Sequence, residues 1–140
     1  MYDNLHHMCA AAVATDSTAD VATFPIGFKA NVKYVYALVN GTSAHATAFV
    51  IKFDKVPLAG SATGRGDGDC GQVSKTASVN QQGKFLYDIP AAHVSVEPGD
   101  QIVAQVTTAN GEACAVDVGV VLEYVPEVIG NVADMVEAGP

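Results

Sequence analysis

The feature that most constrains the fold of this chain is an alternation of apolar and polar residues with a period of two. It is clearest in the stretch ACAVDVGVVLEYV. Successive side chains of a β-strand point to opposite faces of the sheet, so the pattern predicts a strand with one face in a hydrophobic core. The apolar face would carry Cys114, Val116, Val118, Val120, Leu122 and Tyr124, and the other face Asp117, Gly119 and Glu123.

A second strand is predicted just upstream, in DQIVAQVTT, where Ile102, Ala104 and Val106 share one face. The link between the two stretches contains Asn110 and Gly111, the residue pair that most readily adopts positive φ angles. The sequence therefore predicts that these two strands form an antiparallel hairpin.

Further short strands are predicted along the chain, each bounded by Gly, Pro or Asn. They lie in TFPIGF, NVKYVYALVN, AHATAFVIKFD, GQVSKTASV, KFLYDI and HVSV, which brings the predicted total to about eight. We therefore predict an all-β fold, an antiparallel two-sheet β-sandwich of the jelly-roll type, over residues 21–126. Residues 1–20 are predicted to be an amino-terminal arm or short helix, and residues 127–140 an irregular tail.

The charge balance argues against two classes of partner. Fifteen acidic residues against seven basic ones give a net charge of -8, and Arg65 is the single arginine. Such a chain repels phosphate backbones and anionic lipid, so we expect neither nucleic acid nor membrane as a partner. No Lys or Arg precedes Lys29, so we expect no secretory signal and synthesis in the cytoplasm. The three cysteines lack metal-ligand spacing and are expected to be reduced thiols.

The glycine-rich stretch SATGRGDGDCG, residues 61–71, contains several possible ligand groups. Its Arg-Gly-Asp tripeptide matches an adhesion motif, but three-residue matches arise often by chance. Asp67 and Asp69 are spaced like the alternating carboxylates of a calcium loop, whereas Gly71 and Lys75 stand where such a loop needs further oxygen ligands. The main interpretation is a solvated flexible loop, with Asp67 and Asp69 as candidate calcium ligands.

No catalytic or cofactor-binding set stands out. The chain has neither a Gly-x-Ser-x-Gly nucleophile elbow nor a Gly-Lys-Ser/Thr phosphate loop. His6 and His7 are adjacent, so on a strand they would point to opposite faces and could not share a metal ion. The stretch PGDQIVAQV resembles a strand of trimeric deoxyuridine triphosphatases, but the phosphate and uracil motifs of that family are not found. We therefore expect no enzymatic activity and no cofactor.

The order of these motifs, from Ala22 to Val125, resembles that of small single-domain jelly-roll structural proteins of tailed bacteriophages. The stretch ATFPIGFKANVKYVYALVNG is followed by ATAFVIKF, by the glycine-rich LAGSATGRGDGDCG and by VEPGDQIVAQVTT. The closing strand VGVVLEYVP then leads into a tail that contains NVADMV. The resemblance covers about three quarters of the chain, and each motif taken alone is ordinary β-strand chemistry.

This resemblance implies a capsid decoration, or cement, protein that binds the assembled phage head and stabilises it, typically as a homotrimer. It implies the major capsid protein as partner and the capsid surface of the virion as location. Because KYVYALV is apolar on both faces, we expect the subunit contact to include Tyr34 or Tyr36. The candidates for capsid contact are apolar residues near the two ends of the chain, namely Tyr2, Leu5, Met8, Val128, Ile129 and Met135.

The sequence is also compatible with a function of another class. A receptor-binding or fibre-tip module would use loops, such as residues 59–72, to contact the bacterial surface. Fibre tips usually carry an amino-terminal shaft or anchor, for which 140 residues leave little room. Binding to capsids rather than to cells would distinguish the cement protein from the fibre tip.

Overall fold

The fold of the chain is seen in a computed structural model that describes residues 4–39, 48–58, 68–75, 83–109 and 115–125. Within these ranges there are nine β-strands and no α-helix. In chain order the strands are β1 Leu5–Ala14, β2 Asp20–Pro25, β3 Ala30–Val39, β4 Phe49–Val56, β5 Asp69–Lys75, β6 Phe85–Asp88, β7 Ser95–Val96, β8 Gln101–Thr108 and β9 Ala115–Tyr124.

The strands form two antiparallel sheets, which confirms the predicted two-sheet β-sandwich. One sheet has five strands in the order β1-β9-β3-β6, with β7 paired to the end of β3. The other has four strands in the order β2-β8-β4-β5. Within the described ranges, no helix is long and apolar enough to cross a bilayer.

The period-two pattern identifies the core correctly. On β9 the side chains of Val116, Val118, Val120 and Leu122 are fully buried, as the alternation predicts. On β4 the same holds for Phe49, Ile51 and Phe53, and on β8 for Ile102, Ala104 and Val106. These three faces meet in one hydrophobic core between the sheets, so the alternation reports the face that each strand turns inward.

The predicted hairpin between the last two strands is wrong. β8 pairs with β2 and β4, whereas β9 pairs with β1 and β3 in the other sheet. The apolar faces of β8 and β9 therefore enter the core from opposite sheets instead of lying side by side. Alternation fixes which face of a strand points inward but not which strand is its neighbour. The connecting residues 110–114, which include Cys114, lie outside the described residues.

The amino-terminal segment also differs from its prediction. The short-helix alternative is wrong for residues 5–14, which form the edge strand β1 and pair antiparallel with β9. The alanines of CAAAVA favour a helix locally, but Met8, Ala10 and Val13 pack against the core from an extended backbone, and this tertiary packing overrides propensity. The predicted tail, residues 127–140, lies outside the described residues.

The turn before β8 is built around a buried carboxylate, Asp100. Its Oδ1 atom accepts a hydrogen bond from the backbone N–H of Leu58 at 3.2 Å, and its Oδ2 atom accepts one from Glu97 at 2.9 Å. The ammonium group of Lys55 lies 3.8 Å from the same carboxylate. Gly99, with a φ of 96°, lets the chain turn into this position. Asp100 therefore ties the turn to the end of β4.

Replacing Asp100 with alanine is expected to destabilise the protein by about 1–3 kcal/mol, because two partly buried backbone N–H groups lose their acceptor. Denaturant unfolding measures the free energy. Asp16→Ala is the matched control, since Asp16 is exposed in a bend, and it is expected to change stability by less than about 0.5 kcal/mol. Equal effects of the two substitutions would contradict this role for Asp100.

Candidate functional site

The outer face of the five-stranded sheet carries a cluster of aromatic side chains. We call this surface the aromatic face and define it by Tyr34 and Tyr36 of β3, Phe85 and Tyr87 of β6, and His7 of β1. The register of β3 against β6 places Tyr36 opposite Tyr87. A bulge in β3 between Val32 and Tyr34 shifts the alternation, so that both tyrosines of β3 point outward while Val35 is buried in the core.

The rings of the aromatic face form a connected layer. Phe85 and Tyr87 are stacked with their centroids 5.8 Å apart, and Phe85 lies 5.1 Å from Tyr36. Tyr34 meets Phe85 and Tyr87 edge-on, at 6.4 and 6.3 Å. These distances fall in the range in which aromatic pairs attract one another beyond simple area burial. The layer is therefore a preorganised apolar surface.

Tyr36 is held against the sheet by its neighbours on β1 and β9. Gly119 lies opposite it, and a Cβ atom at that position would come within 2.4 Å of the tyrosine ring. The Tyr36 hydroxyl forms a hydrogen bond with Nε2 of His7. Burial, followed by interactions with Cys9 and neighbouring groups, raises the pKa of Tyr36 to about 12, so the hydroxyl stays protonated at neutral pH.

The far half of the aromatic face is open to solvent. Phe85 is 46% exposed and Tyr87 is 62% exposed, whereas Tyr36 is buried. Large exposed aromatic side chains next to rigid buried ones are typical of surfaces that bind another protein. The aromatic face is thus a candidate contact surface, and it contains both residues, Tyr34 and Tyr36, that the sequence predicted for the subunit contact.

Sequence reasoning missed Phe85, Tyr87 and His7 as members of this surface. The signal was available in KFLYDI, where Phe85 and Tyr87 alternate with Leu86, so that the two rings share one face. What the sequence did not provide was the pairing of β6 with β3, because the two strands are separated by β4 and β5 along the chain.

The candidate calcium ligands are only partly described. Asp67 lies outside the described residues, and the Oδ1 atom of Asp69 accepts a hydrogen bond from the backbone N–H of Gly71 at 2.9 Å. Among the described residues, no group of three His, Cys, Asp or Glu side chains is arranged to hold a metal ion. Calcium binding by Asp67 and Asp69 stays a prediction.

Two of the predicted capsid-contact residues lie on β1. Leu5 is 52% exposed and lines a groove of about 410 Å³ together with Asn4, His6, Phe28 and Tyr124. Met8 points to the core side and is half-buried. The other four candidates, Tyr2, Val128, Ile129 and Met135, lie outside the described residues.

The two cysteines in the described ranges are free thiols in different surroundings. Cys9 is exposed on β1, while Cys70 is buried and donates its S–H to the carbonyl oxygen of Gly68 at 3.3 Å. Burial, helped by the nearby charges of Asp54 and Asp69, raises the pKa of Cys70 to about 12. Cys70 is therefore a core residue and not a reactive thiol.

Comparison with known proteins identifies a fold but no family. No family model and no curated protein matches the chain. Among solved structures, it is similar to a chain of the acid-stable capsid structure of Helicobacter pylori bacteriophage KHP30, with a TM-score of 0.55 and 14% sequence identity. That alignment covers 91% of this chain and 92% of the other. A weaker likeness, with a TM-score of 0.45 and 6% identity, links 91% of this chain with 81% of a chain of tomato aspermy virus.

Replacing Gly119 with alanine is expected to lower stability by about 1–3 kcal/mol, because the added methyl group would overlap the ring of Tyr36. Denaturant unfolding measures the loss, and near-ultraviolet circular dichroism reports displacement of the tyrosine. Gly27→Ala is the matched control, since a Cβ atom at Gly27 meets nothing within 4 Å. A Gly119→Ala variant as stable as the control would contradict the tight seating of Tyr36.

Alkylation of the native protein at pH 8 is expected to modify Cys9 quickly and Cys70 at least about a hundredfold more slowly, because little of the buried thiol is ionised. Peptide mapping by mass spectrometry resolves the two sites. In denaturant the two rates should converge, and comparable rates in the native state would show that Cys70 is accessible.

Proposed function

We propose that this protein is a non-enzymatic structural component of a virion, which binds the assembled head of a tailed bacteriophage as a decoration, or cement, protein. Its partners are the major capsid protein and further copies of itself, and its location is the outer surface of the capsid. It would be made in the host cytoplasm and would join the head after synthesis.

The observation that carries this proposal is the likeness in fold to a chain of the KHP30 capsid structure. The alignment spans more than nine tenths of both chains, so the two have similar lengths and the likeness extends over the whole sandwich. It agrees with the independent resemblance of the sequence motifs to small jelly-roll proteins of phage heads. A surface of exposed aromatic rings adds the kind of contact that an assembling protein needs.

A cement protein needs no catalytic centre. A protein that binds only the assembled shell stabilises that shell by mass action, to a degree set by its affinity and by the fraction of sites that it occupies. The net charge of -8 keeps the free protein soluble and disfavours contact with the packaged genome. A rigid sandwich with an apolar face therefore has the properties that this task requires.

We further propose that the aromatic face is the contact between subunits of a homotrimer. Tyr34 and Tyr36 lie at its centre, and the exposed rings of Phe85 and Tyr87 extend it toward the edge of the sheet. Aromatic side chains bury a large area for little loss of conformational entropy, and for this reason they dominate many protein interfaces. A threefold contact of this kind would cover the exposed half of the face.

Contact with the capsid is assigned to the residues near the two ends of the chain, namely Tyr2, Leu5, Met8, Val128, Ile129 and Met135. Leu5 is the best supported of these, because it is largely exposed and lines the groove beside Phe28 and Tyr124. Deleting residues 1–15 would not test this assignment, since it would remove β1 from the sheet. The single substitution Leu5→Ser leaves β1 in place and is the appropriate variant.

Light scattering on a sizing column is expected to give a mass near three chains for the unaltered protein. The double variant Phe85→Ser, Tyr87→Ser should shift the mass toward one chain, because it removes the exposed rings without touching the core. Leu58→Ser, which alters a residue that is 75% exposed away from the aromatic face, should leave the mass unchanged. A trimer that survives the double variant would exclude this face as the subunit contact.

Co-sedimentation with undecorated heads of the cognate phage tests the function itself. Binding to heads that is weakened at least about tenfold by Leu5→Ser would support the cement protein and its contact site. Binding to bacterial cells, with no binding to heads, would instead favour the receptor-binding module. Running both experiments with calcium and with chelator also tests whether Asp67 and Asp69 are ligands.

A further inference from the structure

The two long sides of the sandwich are closed in different ways. On the side formed by the edge strands β5 and β6, Oδ2 of Asp88 accepts a hydrogen bond from the backbone N–H of Gln72 at 3.0 Å. The Asp88 side chain also packs against Gly71, where a Cβ atom would come within 2.9 Å of it. Polar and close-packed contacts thus join the two sheets on this side, and Leu86 is the one partly buried hydrophobic residue that the edge strands contribute to the described core there.

On the opposite side, the edge strands β1 and β2 leave an apolar seam. Hydrophobic side chains from both strands pack against the core but remain half-buried. They are Met8, Ala10 and Val13 of β1 and Val21 and Ala22 of β2. These five make up more than half of the partly buried hydrophobic residues around the described core, so the core is least completely covered along this seam.

The backbone of β1 is oriented to accept another strand. The N–H of Tyr124 donates to the carbonyl oxygen of Asn4 at 2.8 Å, which makes these two residues a hydrogen-bonded pair at the start of β1. Such pairs recur at every second residue of an antiparallel ladder. Met8 and Ala10 therefore direct their backbone groups toward β9, while His7 and Cys9 direct theirs away from it. Among the described strands, β1 pairs with β9 alone.

The open stretch of β1 is regular and ends at a defined point. The register with β9 is continuous from Leu5 to Ala10 and shifts before Val13. At this bulge Ala12 adopts a φ of 56°, and its N–H donates to Oδ1 of Asp117 at 2.9 Å. The bulge turns the strand away and Leu5 already has an interaction of its own, so a pairing partner would meet residues 6–10.

The stretch of β1 before its bulge has no sequence feature that protects it as an edge. Natural proteins prevent unwanted pairing of edge strands by placing charged residues or proline in them, by introducing bulges, or by keeping the strands short. The other edges show these features: β2 has Asp20 and Pro25, β5 has a register shift opposite Asp54, and β6 has four residues. Residues 5–14 contain no Asp, Glu, Lys, Arg or Pro.

We propose that the edge of β1, residues 6–10, pairs antiparallel with the β1 strand of a second copy of this protein about a twofold axis. The absence of charge on β1 fits this occupant: two copies of net charge -8 repel one another, so they approach most easily through a strand without acidic groups, whereas a basic partner would be attracted to the acidic parts of the surface. Antiparallel pairing about a twofold axis is self-complementary. The backbone groups of His7 in each copy would form hydrogen bonds with those of Cys9 in the other. Met8 and Ala10 of each copy then cover the seam of the other.

This twofold contact is distinct from the aromatic face and does not depend on binding to capsids. It uses Met8, which then contacts the second copy and not the capsid. It joins the five-stranded sheets of two copies into one continuous sheet. If the threefold contact also forms, the twofold contact links one trimer to the next, as a network on a closed shell would require. Each contact can fail without the other.

Amide hydrogen exchange followed by NMR tests the pairing directly in the unaltered protein. Between dilute and concentrated samples, exchange of the His7 and Cys9 amides should slow at least tenfold, while Met8 and Ala10 should be protected in both. Fast exchange at His7 and Cys9 in the most concentrated sample would overturn the proposal. Protection that appears there only when phage heads are added would also overturn it, because the occupant would then be the capsid protein.

Two variants at one position provide the matched comparison. Cys9→Pro removes an N–H that points away from β9, so it should spare the β1–β9 ladder but weaken association between copies roughly tenfold or more, since a twofold pair loses this bond twice. Cys9→Ala keeps the N–H and should associate like the unaltered protein. Sedimentation equilibrium measures the association constant, and thermal unfolding checks that both variants fold. Equal association by two folded variants would contradict the pairing.

Discussion

The register between β3 and β9 is the constraint on which both faces of the five-stranded sheet depend. It places Val35 opposite Val120 and Ala37 opposite Val118 on the core side, and Tyr36 opposite Gly119 on the outer side. A slip of one residue would exchange these two sets. The valines would then meet solvent, and Tyr36 would face a side chain instead of a glycine. One register thus determines both the packing of the core and the composition of the aromatic face.

The geometry of the aromatic face suits contact with another protein better than it suits catalysis. Its buried members are fixed by contacts within the sheet, while Phe85 and Tyr87 stand exposed at its margin. A rigid aromatic layer loses little conformational entropy when a partner covers it. The hydroxyl groups of its tyrosines can still form hydrogen bonds at the rim of the contact. By contrast, the ionisable groups with raised pKa values, Tyr36 and Cys70, are held in their neutral forms, which does not favour acid–base or nucleophilic chemistry.

The sequence predicts the inward face of each strand well, because burial acts on single side chains and so produces an alternation of apolar and polar residues within the strand itself. It identified the two-sheet class and the inward residues of β4, β8 and β9. It also placed Tyr34 and Tyr36 in a strand with apolar residues on both faces, which it expected at a subunit contact. It predicted the wrong partner for β9, since the turn chemistry of Asn110 and Gly111 is local whereas strand pairing is decided by the whole core. For the same reason the alanine-rich start of the chain suggested a helix, although its neighbour in the sheet lies more than a hundred residues away.

The pairing of β1 with β9 also has a consequence for how the protein is made. On the ribosome β1 emerges before every other described strand, and its partner in the sheet emerges after all of them. Until then an uncharged, alanine-rich segment has no neighbour, and closing so long a loop is slow. The fold is therefore completed in one late step, which brings Asn4 and Tyr124 together. A nascent or truncated chain that lacks β9 would present this segment to chaperones, or to other unfinished chains.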